Sequence, residues 1–226
     1  MTRSVIVTGG FGVLGQAVAE AFAANGDKVA RIDFAEKPHT AAEGALDLGG
    51  IDLTDAQSTR GALSKVVETN GGIDVLVNVA GGFAWETLED GSIATWSKMQ
   101  AMNVITAATI TQLALPELKN SAAGRVVNIG AGGAVKAGTG MGAYAASKAG
   151  VHRLTEALAE ELAGSTVTVN AILPSIIDTP TNRADMPDAD VSTWVRPEAA
   201  AKVILFLASE EAGAVTGALI PVTRGG

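Results

Sequence analysis

Two residues in this sequence have the types and the spacing of a proton-transfer pair. Its one tyrosine, Tyr144, stands four residues before Lys148. Four residues are about one helical turn, so the phenol and the ammonium group would project from the same helical face. A neighbouring cation favours the phenolate, so this spacing predicts a Tyr144 pKa lowered from its usual ~10 towards working pH, where the phenol can give or take one proton. Because a chance pair on a helix has the same spacing, the interpretation depends on whether a cofactor site surrounds it.

Composition narrows the function classes that such a pair could serve. The 226 residues suffice for one substantial core, and no shift in composition marks a second domain, so we expect a single domain over 1–226. The net charge is −8 without a cluster of Lys or Arg, which argues against nucleic acid or an acidic membrane surface as a partner. There is no cysteine, and His39 and His152 lack metal-ligand spacing, so we expect no metal site.

The N-terminal stretch and the apolar runs bear on where the protein works. Residues 1–7 read as a short strand rather than as a charged segment followed by an apolar core and a cleavage site, so we expect no signal peptide. No apolar run in the sequence approaches the length of a membrane span. The sequence therefore predicts a cytoplasmic protein that does not enter a membrane.

Short apolar runs alternate with longer helical patterns, and this alternation must position the pair. Strands are predicted at 4–7, 28–33, 46–51, 73–77, 125–129, 166–172 and 218–222. Helices are predicted at 16–24, 55–68, 93–118, 144–162 and 197–207, the second with Thr54 as its N-cap. Repeated strand–helix units predict a doubly wound, three-layer α/β fold around a mainly parallel seven-stranded sheet. Ligands of such sheets bind beyond the carboxyl ends of the strands.

A glycine-rich turn follows the first predicted strand directly, in the run Thr8-Gly9-Gly10-Phe11-Gly12-Val13-Leu14-Gly15. Glycines allow a tight turn and let backbone amides approach a phosphate, and the N-terminus of the next helix adds partial positive charge. Many glycine-rich loops are only turns, but the strand before this one and the helix after it favour a dinucleotide site. The candidate cofactor-binding residues of this loop are Gly9, Phe11, Gly12, Val13 and Leu14.

Asp33 ends the second predicted strand, where an acidic side chain can select the cofactor. Such a carboxylate accepts hydrogen bonds from the adenosine ribose hydroxyls and repels a 2′-phosphate. We therefore expect NAD(H) as the preferred cofactor. NADP(H) stays open as an alternative, because two basic residues, Arg31 and Lys37, lie close to Asp33 in sequence.

Further motifs surround the Tyr144–Lys148 pair, and together they resemble the short-chain dehydrogenase/reductase family over essentially the whole chain. They are Asp52-Leu53, Asn78-Val79-Ala80-Gly81, Asn103 and Pro174-Ser175-Ile176-Ile177-Asp178-Thr179. The resemblance implies a Rossmann-type fold, catalytic roles for Asn103, Tyr144 and Lys148, and an NAD(P)(H) cofactor. It also implies cofactor contacts by Asp52, Leu53, Asn78, Ala80, Gly81, Tyr144, Lys148, Pro174, Ile177 and Thr179. Two loop positions depart from the family pattern, since Gly12 comes one place early and Ser175 replaces a glycine.

One functional residue of that family is missing. A serine that holds and polarises the substrate carbonyl usually stands 13 residues before the tyrosine, and here that position is Ala131. No serine or threonine occurs between Asn128 and Gly138 that could replace it. One hydrogen bond of this oxyanion type can be worth ~3 kcal/mol, so the loss has two interpretations. Either the protein binds a dinucleotide without turnover, or its substrate does not need that hydroxyl.

A narrower resemblance favours a substrate of the second kind. The stretch Gly138-Thr139-Gly140-Met141-Gly142-Ala143-Tyr144, with Ala131 before it, is similar to the dihydropteridine reductases, as are residues 178–194. This resemblance implies NADH-dependent reduction of a quinonoid dihydropterin. A quinonoid ring is already electron-poor, so hydride addition needs less carbonyl polarisation, and Tyr144 could protonate a ring nitrogen. Asn103 departs from that narrower pattern, which leaves another carbonyl or alcohol substrate open.

Aromatic side chains near the expected site are candidates for contacts with a small-molecule substrate. Phe83 and Trp85 follow the fourth predicted strand, and Trp194 lies in a later loop. These three residues, together with Ala131, could form a flat pocket, and ordinary packing is the alternative for each aromatic ring.

Two further segments are assigned from their composition. Residues 178–195 are polar with two prolines and read as a mobile lid. Alanine-rich stretches at 101–118 and 143–163 allow close helix packing, and by resemblance they form the interface of a homodimer or homotetramer. His152, four residues beyond Lys148, is interpreted as a packing or interface residue.

Overall fold

The computed structural model describes residues 2–224. The strands are β1 (Ser4–Thr8), β2 (Lys28–Ile32), β3 (Leu46–Leu48), β4 (Val75–Asn78), β5 (Arg125–Ile129), β6 (Thr168–Pro174) and β7 (Leu219–Val222). The helices are α1 (Val13–Ala24), α2 (Ala56–Asn70), α3 (Ile93–Gln100), α4 (Thr106–Asn120), α5 (Gly142–Glu161), α6 (Pro180–Asp185) and α7 (Pro197–Leu207). Over the described residues the strands form one parallel sheet in the order β3-β2-β1-β4-β5-β6-β7. The predicted doubly wound α/β fold is confirmed.

Helices cover both faces of the sheet, which explains why its central strands are almost continuously apolar. Every residue of β1, β4, β5 and β6 is buried. On one face, Phe22 of α1 and Ile204 of α7 pack against the strands. On the other face, Val66 of α2 and Ile110 of α4 do the same. Burial on both sides is the environment in which uninterrupted Val and Ile runs are stable as parallel strands.

The start of α2 corrects one prediction. Asp55 is the N-cap, and its carboxylate accepts hydrogen bonds from the Gln57 and Ser58 N–H groups, each at 3.1 Å. The Thr54 hydroxyl instead donates to Asp52 Oδ1 at 2.7 Å. A carboxylate has two oxygens and can satisfy two of the free N–H groups at the start of a helix, whereas a hydroxyl at Thr54 satisfies only one.

The long helix predicted at 93–118 is interrupted in the structure. After α3, residues Ala101–Ile105 form a π-helical segment, and the chain then continues as α4 to Asn120. A π-helical segment widens the helix locally and is frequent at functional sites. Asn103, the predicted catalytic asparagine, lies within it and is buried.

Two features are absent from the part of the chain that the structure describes. Within residues 2–224, no helix combines the length and the hydropathy that a membrane crossing requires. The same part of the chain has no cluster of three or more His, Asp or Glu side chains arranged to hold a metal ion.

Candidate active site

A cavity of about 850 Å³ opens at the carboxyl ends of β1, β2 and β4. Many of the predicted cofactor-binding residues line it, namely Gly9, Phe11, Gly12, Val13, Leu14, Asp33, Asp52, Leu53, Ala80, Gly81 and Thr179. Lys37 and His39 also line this cavity. The sequence motifs therefore converge on one concave surface at the edge of the sheet where parallel α/β folds bind their ligands.

The glycine-rich turn between β1 and α1 shapes the wall of this cavity. Gly9 has a φ of +61°, and a Cβ there would lie 2.9 Å from the Ala80 backbone. A Cβ at Gly15 would overlap the Gly9 carbonyl oxygen. Gly12 is the N-cap of α1 and offers no side-chain acceptor to the first turn. The free amide N–H groups of that turn thus fit the phosphates of a dinucleotide.

Asp33 connects the end of β2 to the glycine-rich turn. Its Oδ2 accepts a hydrogen bond from the Phe11 N–H at 2.9 Å, and its Oδ1 accepts one from the Ala35 N–H at 3.0 Å. The side chain lines the cavity at the place where the sequence predicts the adenosine ribose.

Arg31 is fully buried beneath this part of the cavity. Its guanidinium donates two hydrogen bonds to the Asp47 carboxylate, both at 2.7 Å, and two weaker ones to the Thr40 carbonyl at 3.3 Å. The same guanidinium lies 5.3 Å from the centre of the Phe11 ring, within cation–π distance. Arg31 therefore supports the turn from below. Of the two basic residues that kept NADP(H) possible, Lys37 is the one that lines the cavity.

Other predicted cofactor residues lie away from the cavity wall. Asn78 is buried, and its amide donates to Thr111 Oγ1 at 3.0 Å and to Asn128 Oδ1 at 2.8 Å, which crosslinks β4, α4 and β5. Pro174 is buried at the end of β6, and Ile177 forms a bridge with Val195.

Lys148 projects from α5 to the end of β5. Its Nζ donates a hydrogen bond to the Ile129 carbonyl at 2.7 Å, and burial lowers the pKa of this ammonium to about 8. A Cβ at Gly81 would stand 3.4 Å from Lys148 Nζ. Since Gly81 lines the cavity, the lysine lies directly behind its wall.

Tyr144 corrects the prediction of a lowered pKa. Burial raises the pKa of its phenol to about 12, because a phenolate removed from water is costly. The Lys148 ammonium donates its hydrogen bond to the Ile129 carbonyl. The Tyr144 ring packs edge-on against the Phe83 ring, with 4.8 Å between their centres and 75° between their planes. At neutral pH Tyr144 is therefore protonated and has the form of a proton donor.

Asn103 joins two parts of the site. Its Oδ1 accepts the Gly82 N–H at 2.9 Å, while its Nδ2 donates to Ser147 Oγ at 2.9 Å and to the Gly82 carbonyl at 3.1 Å. Ser147 Oγ in turn donates to the Tyr144 carbonyl at 2.7 Å. The side chain thereby fixes the loop after β4 against the turn of α5 that carries Tyr144 and Lys148.

The predicted substrate residues have different environments. Ala131 is buried at 6 % exposure just after β5, while Phe83 and Trp85 are 56 % and 61 % exposed. The Trp85 indole packs so closely on Gly140, which has a φ of +73°, that a Cβ there would overlap it. Trp194 is only 3 % exposed, so it packs in the protein interior.

The predicted lid, residues 178–195, begins at the cavity and closes on itself. Thr179 lines the cavity, and its hydroxyl accepts the Asn182 N–H at 3.1 Å as the N-cap of α6. At the other end, the Val195 N–H donates to the Ile176 carbonyl and the Val195 carbonyl accepts from the Asp178 N–H, both at 2.8 Å. The segment is therefore a loop with a hydrogen-bonded base.

His152 is the site residue to which sequence reasoning gave only a packing role. It lies one turn after Lys148 on α5, is buried, and its Nε2 accepts the Ala131 N–H at 3.3 Å. In the sequence, only its spacing from Lys148 and the presence of Gly130 pointed to this position of His152. Neither signal gives the direction of the imidazole.

The doubly wound sheet, the uncapped helix at the glycine turn and the Tyr144–Lys148 pair define a dinucleotide-dependent oxidoreductase. A family model described as short chain dehydrogenase matches residues 3–190. The chain is 34 % identical to the 3-oxoacyl-[acyl-carrier-protein] reductase MabA of Mycobacterium tuberculosis, an alignment that covers 100 % of this chain and 93 % of the relative. It is 32 % identical to the 2,5-dichloro-2,5-cyclohexadiene-1,4-diol dehydrogenase LinX of Sphingobium indicum, over 99 % and 95 % of the two chains.

A solved structure gives the same picture. The ligand-free aldohexose dehydrogenase AldT of Thermoplasma acidophilum superposes with a TM-score of 0.89 at 27 % identity, covering 100 % of this chain and 93 % of that one. The chain therefore belongs to the short chain dehydrogenase family. It is an oxidoreductase of the type that uses NAD(P)(H).

Proposed function

We propose that this oxidoreductase uses NADH to reduce a quinonoid dihydropteridine. The observation that carries the proposal is Ala131, a buried methyl group at the position where the family has a hydroxyl. Without that donor, a carbonyl substrate loses a hydrogen bond worth ~3 kcal/mol in the transition state. A quinonoid ring is an electron-poor conjugated acceptor, so it depends less on that bond. None of the three relatives named above is named for this substrate, and the sequence resemblance at Ala131, 138–144 and 178–194 supports it.

The proton chemistry of the site suits a reduction. The cofactor would supply a hydride, and one proton must reach the substrate to complete the two-electron step. Tyr144 is protonated at neutral pH because burial raises its pKa to about 12, so its phenol can donate to a ring nitrogen. Lys148 has a pKa of about 8 and is mainly charged at neutral pH, which allows its ammonium to stabilise the phenolate that remains.

The adenosine end of the cavity supports NAD(H) as the preferred cofactor. Asp33 places a carboxylate where a 2′-phosphate would be repelled, and the Arg31 guanidinium is already engaged by Asp47. Lys37 is the cavity-lining cation that could reduce this preference.

Reduction of an ordinary ketone or oxidation of an alcohol is the second candidate. It is favoured by the relatives, which are named as a 3-oxoacyl reductase and a diol dehydrogenase. A homodimer or homotetramer formed through α4 and α5, and a cytoplasmic location, stay predictions from the sequence.

The test is NADH oxidation with two substrates in parallel, a quinonoid dihydropterin and a simple 3-oxoacyl thioester. We expect turnover of the first, and a drop of about 10²-fold or more when Tyr144 is replaced by Phe. Turnover of the thioester alone would refute the proposal in favour of the second candidate. Binding of NADH without turnover of either would indicate a non-catalytic dinucleotide-binding protein. As a matched variant, Ala131→Ser should improve the thioester reaction if position 131 faces the substrate.

A further inference from the structure

Two side chains one helical turn apart on α5 hold the end of β5 by its backbone. Lys148 Nζ donates to the Ile129 carbonyl at 2.7 Å, and His152 Nε2 accepts the Ala131 N–H at 3.3 Å. Both side chains are buried. The strand end that leads to residue 131 is thus fixed by one donor and one acceptor, which gives it a defined position against α5.

Gly130 provides independent evidence that the imidazole belongs at this place. A Cβ at position 130 would lie 2.5 Å from His152 Nε2 and 2.7 Å from its Cδ2. The imidazole therefore fills the volume that any side chain at 130 would need. The glycine and the histidine form a matched pair, and together they bring α5 into contact with the backbone just before Ala131.

The hydrogen bond fixes the protonation state that His152 needs. Because Nε2 accepts the Ala131 N–H, the imidazole must be neutral with its proton on Nδ1. Burial, Arg153 and Lys148 lower the pKa of His152, and Glu156 raises it. These charged groups lie on α5 itself. The facing strand end contributes Ile129, Gly130 and Ala131, which carry no charge.

Acid would reverse this arrangement. A protonated imidazole has donors on both nitrogens, so Nε2 would present an N–H to the Ala131 N–H, and the hydrogen bond would be lost. A second cation would also stand one turn from the Lys148 ammonium. Both effects would displace residue 131 from its position beside the substrate.

We propose that His152 is a positioning residue that holds the backbone of Ala131 in the place required for reduction, and that releases it when the imidazole is protonated. This proposal rests on the proposed function in one respect, namely that residue 131 borders the substrate. It assigns no chemical step to His152, which acts through residue 131.

Two variants separate positioning from mere packing. In His152→Gln, the side-chain amide oxygen can still accept the Ala131 N–H but does not titrate. In His152→Leu, a side chain of comparable bulk has no acceptor. Because the His152 pKa is lowered from its ordinary ~6.5, we expect the wild-type kcat/KM to fall as the pH decreases from about 6.5 towards about 5. The glutamine variant should lack this fall, and the leucine variant should lose about 10-fold or more in kcat at every pH. NADH affinity should change little in either variant.

A second measurement does not require turnover. Nitrogen-15 NMR of the imidazole rings should show His152 as the Nδ1–H tautomer, with an acid transition that also moves the Ala131 amide resonance. His39, which is exposed, serves as the internal control. The Nε2–H tautomer, or a glutamine variant that keeps the wild-type pH dependence, would overturn the proposal. If NMR gives the expected tautomer while neither substrate is reduced, the hydrogen bond stands and the proposed function fails.

Discussion

Replacing Lys148 by Met should stabilise the protein near neutral pH while abolishing its catalysis. The Lys148 ammonium is buried, and burial lowers its pKa to about 8 from the usual 10.5. In the folded protein the charged form is therefore penalised. Methionine has a similar length, no charge and no desolvation cost, so it removes this penalty from the folded state.

The size and the sign of the effect follow from that pKa. A lysine with a folded-state pKa of about 8 and an unfolded-state pKa near 10.5 destabilises the fold by about 3 kcal/mol below pH ~8. Between the folded-state and the unfolded-state pKa, the unfolded state binds more protons, so the penalty shrinks as the pH rises. Above the unfolded-state pKa the penalty is absent. Methionine also leaves the Ile129 carbonyl without its donor, which costs about 1–3 kcal/mol. The net gain of Lys148→Met near pH ~7 should be roughly 1 kcal/mol.

The assay is urea unfolding of the cofactor-free protein at several pH values from about 7 to about 10. The difference in unfolding free energy between Lys148→Met and wild type should decrease by about 2–3 kcal/mol over this range and change sign. Lys65→Met is the matched control, because Lys65 is exposed on α2 and its difference should stay flat. A Lys148→Met difference that is equally flat would refute the assignment of a buried, depressed ammonium.

Three further predictions concern the site and the residues that support it. Asp33→Ala should raise the NADPH-to-NADH ratio of kcat/KM by about 10-fold, or ~1.4 kcal/mol; an unchanged ratio removes Asp33 from cofactor selection. Asp47→Ala should lower the urea unfolding free energy by about 3 kcal/mol, because the buried Arg31 charge loses its partner; a loss below ~1 kcal/mol would contradict this reading of the ion pair. Gly140→Ala should cost about 1–2 kcal/mol through its φ of +73° and displace the Trp85 indole. The substrate KM would then rise while NADH affinity stays the same, and an unchanged KM would place Trp85 outside the pocket.

Features set by local sequence were predictable. Uninterrupted apolar runs gave the central strands, because burial on both faces selects such runs wherever helices cover a parallel sheet. The glycine-rich turn was predictable for a steric reason, since Gly9 has a positive φ and a Cβ at Gly15 would overlap the Gly9 carbonyl oxygen. Asp33 followed from its place at the end of β2. These features depend on residues that are close in sequence or on the order of elements alone.

Features set by contacts between distant segments were not predictable. The spacing of Tyr144 and Lys148 correctly put both on α5, but it could not show that the lysine donates to β5 and that burial raises the tyrosine pKa. Asn103, within the π-helical segment, forms hydrogen bonds with Gly82 and Ser147, which lie far away in the chain. In each case the decisive partner lies on another element, so no periodicity within one segment contains it.

The raised pKa of Tyr144 and the methyl group of Ala131 both bear on the proposed reaction. Because burial raises the pKa of Tyr144 to about 12, its phenol is protonated at neutral pH, which is the form that the proposed reduction uses. The family resemblance implies that a serine at position 131 would share with the tyrosine the task of polarising the substrate. In the proposed reaction, Tyr144 would polarise the substrate without help from residue 131. Such a site would suit a substrate that needs one proton and little polarisation, as the proposed quinonoid ring does.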